Sequence, residues 1–285
     1  MKPWKLILPA LVLALASCER DTELEPPAFV KKPVLISYIS PSDPLIKAEL
    51  SYTVPYFGKA QDSAEYIRDA VVTLSDDDLG KSIQLSYQEW GVYSANAARL
   101  PIEPGHRYTM MVELANGFRC SSSTVVPPQP QLRDLTIKGY QMGKKRESNW
   151  GYAYWPFSLT LDYKGEVESN QFVYAEYMAL LEDGPFGLYE ESMWFTNSGL
   201  EGGSGAPYTF FGEAQFGDYG NADPSFQFIA GTLWIVDANY RAFFQTQFQN
   251  PNNPFQEPIL FHSSMSEGAL GFLGSYTFAE GEIYP

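Results

Sequence analysis

The residues able to do covalent chemistry are few: Cys18 and Cys120, His106 and His262, and Ser204 in the run Gly202-Gly203-Ser204-Gly205-Ala206. That run misses the Gly-x-Ser-x-Gly nucleophile elbow at its last position and lacks the strand–turn–helix context the elbow needs. Neither histidine carries a sequence cue tying it to Ser204, so the segment reads as a flexible Gly-Ser loop. Asp76-Asp77-Asp78 lacks the alternating ligands, central glycine and distant glutamate of a calcium loop and reads as a solvated turn. Carboxylates cluster at Glu182-Asp183, Glu190-Glu191, Asp218 and Asp223. A glycosidase needs two carboxylates about 5–10 Å apart, but with 18 acidic groups in residues 147–285 such neighbours arise by chance. No catalytic residue, metal or cofactor is expected.

Binding chemistry is better represented. Trp194, Phe195, Tyr208, Asp218 and Tyr219 fall in a Gly-, aromatic- and acid-rich stretch that shows almost no strand regularity. Long loops of this kind bind something or fill gaps. Aromatic faces stack on sugars or cations and carboxylates accept hydroxyl or ammonium donors, which points to a glycan or peptide ligand. The plainer reading is that these aromatics pack a core or a protein interface. Trp150-Gly151-Tyr152-Ala153-Tyr154 alternates as one aromatic face of a strand.

The N-terminus supplies an address. Lys2 and Lys5 precede an apolar run, Leu6 to Ala16, too short for the ~20 residues of a bilayer span and typical of a signal peptide. Leu15-Ala16-Ser17-Cys18 resembles the bacterial lipobox, in which cleavage before Cys18 leaves a thiol that carries lipid; an ordinary signal peptide with an incidental cysteine is the alternative. Residues 18–32 then form an acidic, proline-ended tether, read equally as a surface-export signal or a solvated linker. Cys120 lies in a strand-like run and reads as core.

Composition bounds the rest. The chain has 285 residues and a formal net charge of −15, which repels phosphates and excludes nucleic acid as a partner. Short β-rich runs broken by turn residues follow from Val34 to Val126, the layout of an immunoglobulin- or fibronectin-like sandwich over residues 33–128. Pro127-Pro128-Gln129-Pro130 marks the boundary with a second, aromatic-rich β domain over 129–285. Strands are expected at 157–163, 172–181, 208–213 and 226–236, and one helix after Asp237 with Tyr240, Phe243, Phe244 and Phe248 at helical spacing. Residues 147–285 hold 18 acidic groups against Lys164 and Arg241 alone. The fold class is therefore all-β.

Several of these segments together resemble a Bacteroidota outer-membrane lipoprotein family catalogued as domain of unknown function 4249. They are the lipobox and acidic tether, the hairpin region Arg68 to Asp77, Leu100 to Tyr108, Val125-Val126-Pro127, Asn253 to Pro258 and Gly271 to Tyr276. Ser264-Met265 and the spacing of Gly268 and Gly271 depart from the pattern. The resemblance implies a non-catalytic accessory lipoprotein, anchored in the outer membrane and facing the cell exterior, partnered with a TonB-dependent β-barrel receptor in substrate capture. A stand-alone glycan- or peptide-binding lipoprotein is the alternative, and a hydrolase the third.

Overall fold

The computed structural model describes residues 29–55, 65–148, 153–168, 170–182, 188–195, 208–217, 225–247, 262–266 and 268–285. Among them the chain forms strands and a single α-helix, arranged as one long sheet and a smaller second sheet. The all-β class holds.

The first half is a sequence of short antiparallel strands: β1 (Pro33–Ile39), β2 (Leu45–Tyr52), β3 (Val71–Asp76), β4 (Lys81–Tyr87), β5 (Val92–Asn96), β6 (Arg107–Glu113) and β7 (Arg119–Val125). Their side chains alternate in burial, as in Leu45–Tyr52, where Ile46, Ala48 and Leu50 point inward. Strands β4 and β5 share only two pairs, Ser86 with Ser94 and Tyr87 with Tyr93, so the sheet bends there. Leu35, Ile46, Leu74, Leu85, Met110 and Cys120 from the two layers meet in one core. Tyr108 supports the corner before β6: its hydroxyl donates to the Pro101 carbonyl at 3.0 Å and accepts from the Glu103 amide at 2.9 Å. This is the tyrosine corner of immunoglobulin-like sandwiches.

The second half uses longer strands. β8 (Leu135–Met142), β9 (Arg146–Glu147), β10 (Ala153–Tyr163) and β13 (Tyr208–Gly217) make the small sheet. β11 (Phe172–Glu182), β12 (Leu188–Phe195) and β14 (Ser225–Val236) extend the large one. Phe157, Leu159 and Leu161 of β10 pack against Val173, Tyr177, Leu233 and Ile235 of β11 and β14, giving a second core.

The two cores share β15 (Leu270–Ile283). Residues 270–275 pair in parallel with Val34–Ile39 of β1, and residues 276–283 pair antiparallel with Ile229–Val236 of β14. Leu273 therefore belongs to the first core, although it lies far beyond the span 33–128. A parallel pair needs a long crossover, and here almost the whole chain intervenes between its two strands. Gly271 permits the approach: its φ is +103° and a Cβ would run into the Leu35 carbonyl.

Helix α1 (Ala238–Gln247) lies over the outer side of this junction. Asp237 caps it, accepting from the amides of Asn239 at 3.3 Å and Tyr240 at 3.0 Å. Phe243 packs on Phe272 at 4.3 Å, and Tyr240 packs edge-on against Tyr38 at 5.3 Å. The aromatic stripe expected at this helix is packing; Phe248 lies outside the described residues.

Candidate functional site

Strands β1, β3 and β5 end, and β2, β4 and β6 begin, at the same end of the first sandwich, from which β15 passes on to the second core. Its loops gather the polar groups of this half. Asp76 is fully buried, which corrects the reading of the aspartate triplet as solvated; Asp77 and Asp78 are exposed. Asp76 Oδ1 accepts from the amides of Asp78 at 3.0 Å and Leu79 at 2.9 Å, an Asx turn that closes the β3–β4 hairpin. Its Oδ2 lies 2.9 Å from His106 Nδ1. Thr109 Oγ1 donates to Asp77 Oδ2 and the Arg107 amide to Asp78 Oδ2, each at 2.7 Å.

Hydrogen bonding to Asp76 raises the pKa of His106, and the negative charges of Asp76, Asp78 and Glu103 act in the same direction. Burial works to raise the Asp76 carboxyl, but the His106 bond, the Leu79 amide and the His106 charge outweigh it and leave it below the ordinary range. Asp76, Asp78 and His106 bring ligand atoms within 4.8 Å of one another. They are the residues here with the donor set for a cation, but these carboxylates already accept protein donors. The arrangement as it stands is a brace holding β6 to the β3–β4 turn.

Beside it, the β1–β2 loop and the segment from Asn96 to Pro104 line an open groove of about 610 Å³. Asp43 lines it from the β1–β2 loop and Glu103 from the other segment. The Tyr276 hydroxyl donates to Asp43, lying 3.1 and 3.0 Å from its two oxygens and tying this wall to β15. Burial raises the Asp43 carboxyl above its usual value, opposed by the Tyr276 bond and the charge of Lys47. Sequence reasoning read Pro41 and Pro44 as strand breaks and Pro104-Gly105 as a turn. The signal it passed over is a repeated quartet, Pro41-Ser42-Asp43-Pro44 and Pro101-Ile102-Glu103-Pro104, each proline–x–acid–proline.

Of the aromatic candidates in the second half, Trp194, Phe195 and Tyr208 fall at described positions. Residues 208–217 form a strand that contains the one expected at 208–213, whereas the strand at 188–195 corrects the expectation of little strand regularity there. Trp194 stands opposite Glu176 and Phe195 opposite the core residue Ala175. Tyr208 pairs with Tyr163 of β10. Cys18, Ser204, Asp218 and Tyr219 lie outside the described residues.

The outer side of the large sheet, on which Glu176 is exposed, carries a row of three facing aromatics, Tyr174, Trp234 and Phe278, on β11, β14 and β15. The Trp234 and Phe278 rings lie 5.3 Å apart and tilted by 32°. Glu176 and Glu280 flank this row and are exposed. Cys120 is buried, and burial pushes its thiol up to about 11, so it is inert at neutral pH.

The fold is thus a pair of β-sandwiches joined by one strand, with polar loops at the joint. The family described as domain of unknown function 4249 (DUF4249) matches residues 19–282, and the chain belongs to it. No curated protein matches the chain.

Proposed function

We propose that this protein is a non-catalytic lipoprotein, anchored through Cys18 in the outer membrane and facing outward, that captures substrate as an accessory subunit of a TonB-dependent β-barrel receptor. The observation that carries the reading is the double use of β15. Val34 pairs with Leu270 at one end of the first sandwich, and the second core starts beyond Ser275 at the other. Six residues of strand at ~3.3 Å each put ~20 Å between them. A tether entering at residue 33 then leaves the first sandwich as a spacer and the acidic, aromatic second half pointing away from the membrane. The lipobox-like Leu15-Ala16-Ser17-Cys18 and the acidic tether support the anchor.

Purification from native membranes in mild detergent tests the partnership. Recovery of a β-barrel receptor with the protein is the expected result, and consistent isolation of the protein alone contradicts it. The second reading, a glycan- or peptide-binding lipoprotein acting without a receptor, draws on the Tyr174–Trp234–Phe278 row with its flanking carboxylates. It expects Trp194→Ala to abolish ligand binding and the protein to be recovered from membranes without a receptor.

A further inference from the structure

The polar loops occupy one end of the first sandwich. At the other end β1, β3, β5 and β15 begin and β2, β4 and β6 finish. The Thr53 amide donates there to the Lys32 carbonyl, and the Tyr52 amide to the Glu65 carbonyl, each at 2.9 Å. Tyr66 bridges to Ser51, and the Leu50 amide donates to the Gly91 carbonyl at 2.9 Å. These bonds bring together the segments before β1, after β2 and between β4 and β5.

This end presents four exposed apolar side chains, Phe29, Val30, Val54 and Trp90, with Val30 and Trp90 as much as 68 and 69 % exposed. Among the described residues Trp90 is the one non-glycine with a left-handed φ, +53°, followed by Gly91 at +79°. The Val92 amide closes this turn on the Glu89 carbonyl at 2.8 Å. Such turns favour asparagine, aspartate or glycine, and a bulky side chain there is strained. Burial does not offset the strain, since the indole meets Tyr66 edge-on with centroids 6.1 Å apart and otherwise faces outward. Neither the turn nor the core accounts for a tryptophan at this position.

Lys31, Lys32 and Arg68 are exposed around these groups and are balanced by Glu65, Asp69 and Glu89. Lys31 pairs with Glu65 at 2.5 Å and lies over the Tyr52 ring at 4.1 Å. In a protein of net charge −15 this end is therefore electrically near neutral, and an anionic lipid surface does not repel it. Tryptophan and lysine are side chains of the membrane interface, where the indole sits at headgroup depth and the lysine stem reaches back to water. The length of chain before β1 favours lipid as the occupant. Ten residues, 19–28, separate Cys18 from Phe29, and fully extended they span no more than ~40 Å. An anchor at Cys18 thus holds this end beside the bilayer at high effective concentration. Four side chains do not hold a protein on a membrane by themselves; on a tether they need only orient it.

We propose that this end of the first sandwich docks on the lipid surface through Phe29, Val30, Val54 and Trp90, and that the contact sets the direction in which the second half projects. The inference rests on the lipid anchor at Cys18 proposed above. To test it, the protein purified from membranes would be reconstituted into vesicles of phosphatidylcholine and phosphatidylglycerol and floated on a density gradient. Bromine on the phosphatidylcholine chains, close to the headgroup, quenches an indole only at short range. The expected result is flotation with tryptophan emission quenched relative to unbrominated vesicles. Trp90→Phe keeps the apolar patch and should remove more than about half of that quenching. Val30→Asp combined with Val54→Asp keeps Trp90 as the reporter and should reduce quenching to the same extent. Both valines are exposed, so this variant keeps its far-UV circular dichroism. Flotation without quenching, or with quenching unchanged in either variant, overturns the docking and leaves the anchor in place. Failure to float overturns the anchor and the docking with it.

Discussion

Thr124 and Asp237, 113 positions apart, meet in a buried hydrogen bond of 2.8 Å between the Thr124 hydroxyl and Asp237 Oδ2. Asp237 also accepts from the Ser275 amide at 3.0 Å while capping α1. One carboxylate thereby joins the last strand of the first sandwich, the shared strand β15 and the helix. Burial raises the pKa of Asp237 and its four donors oppose that rise, so each donor matters to a charge held away from water.

Thr124→Val keeps the shape and removes one of these donors. A hydrogen bond to a buried charged group contributes about 1.5–3 kcal/mol. The substitution should lower stability by about 2 kcal/mol, read as a shifted midpoint in urea. An unchanged midpoint would show that the joint does not depend on this bond.

Gly271→Ala is expected to destabilise by more than about 1 kcal/mol, because a left-handed φ and a backbone obstruction coincide. The new Cβ meets the Leu35 carbonyl, which no rotamer change relieves. Gly139→Ala on β8 is the control: no atom lies within 4 Å of its added Cβ, and its midpoint should move by less than about 0.5 kcal/mol. Equal effects at the two sites would contradict the close β1–β15 approach.

The Asp76–His106 pair predicts a stability optimum in pH. His106 has a raised pKa in the folded state, so its contribution is complete below the unfolded value of ~6.5 and is lost as pH rises through the folded value. Asp76 has a lowered pKa, so its contribution is present above ~3.9 and is lost as pH falls through the folded value. The pair is strongest between about pH 4 and 6.5. Thermal melts of the chain and of His106→Gln should differ across this range and converge at pH values above the raised His106 pKa, where His106 is neutral. A constant offset at all pH values would argue against the pair.

Cys18→Ala should move the protein from the detergent-extracted membrane fraction to the soluble fraction if the thiol carries lipid. Retention of the variant in the membrane would remove the anchor from the proposed function.

Local patterns made much of this fold legible. Alternation marked the strand at Arg107–Glu113, and Asp237 followed by aromatics at helical spacing marked α1. Both signals lie within a few residues of the structure they specify. Strand β12 was missed because Leu188–Phe195 carries Glu190, Glu191 and Ser192 in succession, which breaks the two-residue period, and its pairing with β11 supplies what the pattern lacks.

The sequence by itself determined the all-β class, the uneven charge, the hairpin chemistry around Asp76 and the family resemblance that the match over residues 19–282 bears out. Only the tertiary structure decided that β15 belongs to both cores, that Asp76 is buried against His106, and that Asp43 and Glu103 line one groove. The physical reason is sequence distance. Periodicity and turn residues act through neighbouring backbone, whereas a parallel strand pair, a buried acid and a shared groove depend on groups tens to hundreds of residues apart, whose meeting no local pattern encodes.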